Sequence, residues 1–247
     1  MEQQLTNERS PRRNFLGLLT GGTAFLGLAA LGAPLRLAAR SNDDGHGAPT
    51  GGQKSEADLW FDKIKGTHRV VYDATQPHEV MPFAWPKVFL LTNEQTGSPA
   101  TDCGVVVVLR HAAIGYAFQD AMWAKYGFAE VFKAGDPGPG FQAADAATAT
   151  KTRNPFWNTK PGDFKIPGIG AVDIGIKDLM GSGVMFCVCQ TAMTVYSAAV
   201  AGQMGMDPKA VMQEWTDNMI PGIQPVPSGV WALGRAQEHK CAYIFAG

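Results

Sequence analysis

Two apolar segments in the first half of the chain predict buried β-strands. Residues 68–75 ("HRVVYDAT") are rich in β-branched side chains, and residues 102–111 ("DCGVVVVLRH") contain an unbroken run of valines. Continuous apolar runs are typical of strands that are covered on both faces, as in a parallel sheet. Between them, Pro86 suits the first position of a helix and Gly97 suits its end. This pattern predicts a β-α-β unit.

The same alternation continues in the second half of the chain. The segment "VMFCVC" predicts a third strand, and "QTAMTVYSAAVAG" predicts a helix that follows it directly. Asp207 is a suitable cap, and Pro208 a suitable first residue, for a further helix. The segments "IQPVPSG", "VWALGRAQEH" and "CAYIF" then predict a strand, a helix and a last strand. Five strands alternating with helices predict an α/β protein, a three-layer α/β/α sandwich with a mostly parallel five-stranded sheet.

Residues 133–170 do not fit this alternation. The segment "KAGDPGPGFQAADAATATKTRNPFWNTKPGDFKIPGIG" is long, irregular and rich in Pro and Gly. Loops of this length inside a compact domain are usually functional or mobile. We expect this insertion to be a lid or an oligomer contact, with a disordered loop as the alternative.

The first 40 residues have the layout of an export signal. Arg12 and Arg13 precede a Gly-rich apolar stretch at 15–33, and this arrangement resembles a twin-arginine signal. An uncleaved membrane anchor is the alternative, although a span needs about 20 strongly apolar residues. Residues 41–54 are polar and Gly-rich, as in a flexible linker. We therefore expect an exported, periplasmic protein, membrane-anchored if the signal is retained, whose folded domain comprises residues 55–247.

Composition and charge narrow the class of partner. Beyond residue 40, 16 basic and 20 acidic residues give a formal charge of −4. The domain has no basic cluster, so nucleic acid is not an expected partner. Four cysteines allow disulfides in an exported protein but do not require them. No cofactor-binding motif is present, and we expect no cofactor and no obligatory metal.

The C-terminal half resembles the DsrE/DsrF-like family. The resemblance rests on "GVMFCVCQTAM" and on the later segment "IPGIQPVPSGVWALGRAQEHKCAYIF", which contains the turn Val226-Pro227-Ser228-Gly229. It covers residues 67–245 apart from the 133–170 insertion. It implies a small α/β/α fold, assembly into trimers or hexamers, and a role in carrying sulfur as a cysteine persulfide. In the family, that role serves sulfur oxidation or transfer RNA thiolation.

The candidate chemistry lies where predicted strands end. Ligands of open parallel sheets bind at the carboxyl ends of the strands, and Cys189 occupies such an end, just before a helix. The unpaired N–H groups and the dipole of a helix N-terminus stabilise a thiolate. Arg110 and His111 end the second strand, and either side chain could tune the Cys189 thiol and hold an anionic sulfur species. The alternative for Cys189 is a small core side chain.

Three further residues are secondary candidates. Cys187 lies two residues before Cys189 on the same strand face and could serve as a resolving thiol or a second ligand. Ser228 could cap the following helix, and Gly229 could present its N–H group to a ligand. Cys103 and Cys241 begin strands at the opposite edge of the sheet, so we expect them to be structural.

These residues favour an exported DsrE-like sulfur carrier or sulfurtransferase-type protein in which Cys189 receives a sulfane sulfur. Its partners would be small sulfur species or a sulfur-donor protein, and it would be a homo-oligomer by resemblance. Whether it is an enzyme is left open by the sequence. Two alternatives also stay open: a noncatalytic oligomeric binding module, and a redox or metal-binding protein that uses His111 with Cys187 and Cys189.

Overall fold

The computed structural model describes residues 54–247. The predicted signal and all but the last residue of the predicted linker lie outside the described residues. No helix within residues 54–247 combines the length and apolar character needed to cross a bilayer.

Seven strands and nine α-helices occur within the described residues. The strands are β1 (His68–Ala74), β2 (Cys103–Leu109), β3 (Lys165–Ile166), β4 (Gly170–Ala171), β5 (Met185–Cys189), β6 (Gln224–Val226) and β7 (Ala242–Phe245). The helices are α1 (Glu56–Phe61), α2 (Met81–Gln95), α3 (Asp120–Tyr126), α4 (Phe128–Val131), α5 (Ala146–Thr152), α6 (Ile176–Gly181), α7 (Gln190–Met204), α8 (Pro208–Asp217) and α9 (Gly229–Glu238). Short 3₁₀ turns cover Ala100–Asp102 and His111–Ala117.

The central sheet of the described part is five-stranded and entirely parallel, in the order β6-β5-β2-β1-β7. Strand β2 lies at its centre and is buried along its whole length, as expected for a valine run covered on both faces. Strands β3 and β4 form a separate antiparallel pair. Because all five central strands are parallel, their carboxyl ends meet at one edge of the sheet.

Helices cover both faces of the sheet. On one face, α1 and α9 pack against side chains of β1, β2, β5 and β6 in one apolar cluster, which includes Phe61, Leu233, Val106 and Cys187. On the other face, Phe83 of α2 stacks against Phe186 at 6.2 Å. Phe186 precedes Cys187 in β5, and neighbouring residues of a strand point to opposite faces. The predicted three-layer α/β/α architecture is therefore confirmed.

Most predicted helix boundaries agree with the structure. Asp207 accepts a hydrogen bond from the Ala210 N–H at 2.9 Å, and thereby caps α8. Helix α2 is an exception, because it begins at Met81 and contains Pro86 in its interior. Pro82 occupies the first turn instead, and Pro86 costs the helix one backbone hydrogen bond.

The 133–170 insertion is folded into the core. Phe156 is buried and stacks on Phe83 of α2, with ring centroids 3.9 Å apart. Asn154 is also buried and donates hydrogen bonds to the carbonyls of Tyr116 and Phe118, at 2.9 and 3.0 Å. The disordered-loop alternative is therefore wrong, while a role as a lid or an oligomer contact stays a prediction.

Candidate functional site

Cys189 lies at the junction of β5 and α7. It is the last residue of the strand and the N-cap of the helix. Its Sγ accepts a hydrogen bond from the Ala192 N–H at 3.3 Å, which satisfies one of the unpaired donors of the first turn. The residue is only 6% exposed. The helix N-terminus therefore contacts the sulfur directly, as the sequence predicted.

The turn that follows β6 lies beside this junction. Cys189 is paired with Val226 in the parallel register of β5 and β6. The Thr191 N–H and Oγ1 both donate to the Pro227 carbonyl, at 3.3 and 2.9 Å. Ser228 then caps α9 by accepting the Trp231 N–H at 3.2 Å. The first turns of two helices thus meet at the edge of the sheet that holds Cys189.

Arg110 follows the last residue of β2 and forms a two-point ion pair with Asp73 of β1. Its Nε donates to Oδ1 at 2.6 Å, and its Nη2 donates to Oδ2 at 2.9 Å. Asp73 is 1% exposed, and a carboxylate buried to this extent requires a charged, hydrogen-bonded partner. The Tyr243 hydroxyl of β7 donates to the same Oδ2 at 2.8 Å. Three neighbouring strands therefore contribute to one polar cluster, made of Asp73, Arg110 and Tyr243.

Electrostatics link this polar cluster to Cys189. The hydrogen bonds to Asp73 raise the pKa of Arg110, and burial lowers it. The charges of Asp73, of Tyr243 and, least of all, of Cys189 raise the pKa further. The hydrogen bond to Asp73 also raises the pKa of Tyr243. Arg110 is also the neighbour of Cys189 in the sheet, because Leu109 pairs with Val188 and the next residues along the two strands are Arg110 and Cys189.

Gly229 brings helix α9 onto the side chain of Arg110. A Cβ atom at Gly229 would lie 2.5 Å from Cβ and 2.8 Å from Cδ of Arg110. Only glycine permits this approach. Both secondary candidates in the turn therefore lie at the site. Ser228 caps helix α9, and Gly229 packs against the side chain of Arg110.

His111 has different surroundings. Its backbone is left-handed, with φ of 49°, and its ring meets the edge of Tyr196 at 5.8 Å. Burial and the positive charge of Arg110 lower the pKa of His111, and a hydrogen bond with the Thr75 backbone partly opposes this effect. The His111 ring therefore packs against Tyr196, and its electrostatic link to the site runs through Arg110.

The other cysteines are buried free thiols. Burial and the neighbouring Cys189 raise the pKa of Cys187 far above its usual value, and Cys187 belongs to the apolar cluster under α1 and α9. Cys103 begins β2 and Cys241 directly precedes β7, at the edge opposite to Cys189. Their positions agree with the structural role predicted for them.

No cluster of three His, Cys, Asp or Glu side chains with metal-binding geometry is present between residues 54 and 247. The predicted alternative set of His111, Cys187 and Cys189 therefore does not come together as a group of metal ligands in this structure.

Sequence reasoning missed Asp73 and Tyr243. An acidic residue near the carboxyl end of an otherwise apolar strand, as in "RVVYDAT", is a usable signal because a buried carboxylate requires a partner. Tyr243 carries no comparable signal, since a tyrosine in the closing strand "CAYIF" is equally consistent with packing.

The site combines a cysteine sulfur, a helix N-terminus and a guanidinium at one edge of the sheet. The Ala192 N–H donates to the sulfur at 3.3 Å, and Arg110 follows β2 beside it in the sheet register. Arg110 uses Nε and Nη2 to bind Asp73, and its Nη1 makes no hydrogen bond to the described residues. This arrangement suits nucleophilic sulfur chemistry, with Nη1 available as a hydrogen-bond donor to a bound group.

Comparisons with known proteins add little about activity. No protein-family model and no curated protein matches the chain. Among solved structures, a protein of unknown function from Methanobacterium thermoautotrophicum is similar to it, at 17% identity and a TM-score of 0.36. The match covers 72% of this chain and 99% of the other.

Proposed function

We propose that this protein is an exported, DsrE-like sulfur carrier or sulfurtransferase-type protein that holds sulfane sulfur as a persulfide on Cys189. The observation that carries the proposal is the position of the Cys189 sulfur, which accepts the Ala192 N–H at 3.3 Å at the start of a 15-residue helix. The same hydrogen bond and helix dipole would stabilise the thiolate before transfer and the terminal sulfur anion after it.

The proposed transfer is a single displacement at sulfur. The Cys189 thiolate attacks the outer sulfur of a donor, a new S–S bond forms, and the donor's S–S bond breaks with its electron pair leaving on the departing group. Thiosulfate would release sulfite, and an organic persulfide would release a thiolate. No oxidant or reductant is required, because the transfer of the sulfane sulfur involves no net gain or loss of electrons by the donor and acceptor together.

Arg110 is the proposed partner of Cys189 in this step. Its side chain is 27% exposed and its unused Nη1 can donate to the donor group or to the new persulfide. We propose an indirect role for His111, because its electrostatic link to the site is the effect of the Arg110 charge, which lowers the pKa of His111. Cys187 is buried beneath Cys189, so we propose no direct role for it unless the strand end opens.

Intact-mass measurement of the purified full chain tests the proposal. After incubation with thiosulfate, polysulfide or an organic persulfide, we expect the mass of one added sulfur atom, removable by dithiothreitol. Cys189→Ser should abolish the addition. Cys187→Ser, the matched control two residues away, should retain it. A chain that stays unmodified with every donor, while remaining folded, would contradict the proposal.

A noncatalytic oligomeric module is the second candidate, and the open edge of the sheet favours it. Strand β7 pairs with β1 on one side only among the described residues, and its Phe245 is 56% exposed. Exposed aromatic side chains on an edge strand are typical of contact surfaces. This candidate predicts a stable homo-oligomer, by resemblance a trimer or hexamer, whose assembly is unchanged in Cys189→Ser. Sedimentation analysis of both proteins tests the assembly. Intact mass after incubation with the sulfur donors distinguishes this candidate, which stays unmodified, from the sulfur carrier.

A further inference from the structure

We propose that Asp73 makes the site discriminate between sulfur donors by their charge, so that Cys189 reacts with organic persulfides of low charge and reacts poorly with the thiosulfate dianion. This inference rests on the proposed function and adds a specificity-determining residue and a substrate class to it. It follows from how completely Asp73 neutralises Arg110.

The ion pair lies beside Cys189 and carries little net charge. Leu109 of β2 pairs with Val188 of β5, and the next residues along the two strands are Arg110 and Cys189. Both carboxylate oxygens of Asp73 receive hydrogen bonds from Arg110, at 2.6 and 2.9 Å, and Asp73 is 1% exposed. Water therefore screens the carboxylate poorly, and its charge acts on its surroundings nearly as strongly as that of the guanidinium. Arg110 contributes a directional N–H donor at Nη1 but no free positive charge.

The remaining side chains placed at this edge do not supply a counter-charge. Thr191, Ser228 and Tyr243 are uncharged, and His111 favours its neutral form because burial and Arg110 lower its pKa. The Thr191 hydroxyl donates to the Pro227 carbonyl of the neighbouring turn, and the Ser228 hydroxyl accepts the Trp231 N–H. A Cys189 thiolate thus adds a negative charge to a pair of charges that cancel. A dianion approaching this site meets net repulsion, whereas a neutral or singly charged persulfide meets less.

Coulomb's law gives the expected size of this preference between the two donors. At a separation of about 4 Å and partial solvent screening, one additional unit charge changes a rate or affinity by about tenfold or more. In the favoured reaction, Cys189–S⁻ attacks the outer sulfur of R–S–SH, forming Cys189–S–SH and releasing R–S⁻. In the disfavoured reaction, it attacks the outer sulfur of thiosulfate and releases sulfite.

The test measures single-turnover loading of the full chain with two probes, hydroxyethyl persulfide and thiosulfate, by intact mass. In Asp73→Asn, the site gains a net positive charge, so the rate ratio of thiosulfate to persulfide should rise by about tenfold or more. A ratio is used because any change in the thiolate fraction affects both donors equally. Tyr243→Phe removes a hydrogen bond from the same carboxylate without changing charge, and its ratio should equal that of the wild type.

A measurement on the wild type tests the inference even if the Asp73→Asn variant does not fold. Salt screens like-charge repulsion, so the thiosulfate loading rate should increase with ionic strength and the persulfide rate should change little. A thiosulfate rate that falls with salt, or a donor ratio unchanged in a folded Asp73→Asn protein, would overturn the inference. Either result leaves the persulfide on Cys189 intact, whereas failure of both donors would instead reject the proposed function.

Discussion

Gly229 lies directly against the stem of Arg110, with room for a hydrogen but not for a methyl group. A Cβ atom there would approach Cβ and Cδ of Arg110 to 2.5 and 2.8 Å. Helix α9 therefore confines Arg110 from one side while Asp73 binds its guanidinium. Packing against α9 and the hydrogen bonds to Asp73 together determine the orientation of the Arg110 guanidinium.

We expect Gly229→Ala to displace Arg110 and to destabilise the protein by about 1–3 kcal/mol, because the added methyl overpacks a buried contact. If the proposed function holds, the same variant should also slow sulfur loading of Cys189. Urea unfolding and intact mass measure the two effects.

Gly234→Ala is the matched control in the same helix. Gly234 is exposed, and an added Cβ would have nothing within 4 Å. Alanine should therefore stabilise the protein by about 0.5–1 kcal/mol, through its higher helix propensity. Equal unfolding midpoints for the two variants would contradict the proposed contact between Gly229 and Arg110.

Alkylation should distinguish the two cysteines of β5. Iodoacetamide reacts with thiolates, and we expect it to modify Cys189 before Cys187 in the native protein. Cys187 is fully buried and its pKa is raised by burial, whereas the sulfur of Cys189 accepts a hydrogen bond from a helix N-terminus. Mass spectrometry of Cys187→Ser and Cys189→Ser, sampled over time, measures each site separately. Modification of Cys189 only at the rate of global unfolding would show that its sulfur is inaccessible.

The histidine beside the site should make stability depend on pH. Burial and Arg110 lower the pKa of His111, so the folded state favours the neutral ring. As the pH falls below about 6.5, the unfolded chain binds a proton at this position before the folded protein does. Stability should therefore decrease as the pH falls through this range, until the folded-state pKa is also passed.

His111→Asn should reduce this loss of stability. Asparagine tolerates the left-handed backbone at φ of 49°, so the variant and the wild type should have similar stability above about pH 7.5, where the histidine is neutral. Urea unfolding across the pH range gives the two profiles, and NMR titration of the ring gives its pKa directly. A titration midpoint at or above the ordinary histidine value would contradict the expected direction.

The fold was predictable because most of its strands have a clear local sequence signal. The valine run of β2 and the junction of "VMFCVC" with the following helix each indicate a strand at a defined place, and parallel sheets require helical crossovers. The insertion was not predictable, because its contribution to the core comes from a few separated aromatic residues, such as Phe156 on Phe83. Such contacts are long-range, and local composition does not reveal them.

The site was predictable in part for the same reason. Cys189, Arg110 and Gly229 lie at strand or helix ends that the sequence defines, and the parallel topology places these ends at one edge. Asp73 and Tyr243 join them through hydrogen bonds between β1, β2 and β7. Those bonds depend on strand order, with β7 beside β1, and the sequence alone does not fix that order.

The insertion should be indispensable for folding, and Asn154 tests this most directly. Its side chain donates to the carbonyls of Tyr116 and Phe118 and accepts the Phe156 N–H, all in the buried interior. Asn154→Ala leaves these three groups without partners, and we expect a loss of about 3–5 kcal/mol in unfolding free energy, since each orphaned buried group costs about 1–3 kcal/mol. The control is Asn158→Gly, which keeps a left-handed backbone and removes only an exposed hydrogen bond, so it should change stability by less than about 1 kcal/mol. A similar unfolding midpoint for Asn154→Ala and the wild type would mean that the segment is a dispensable appendage rather than part of the core.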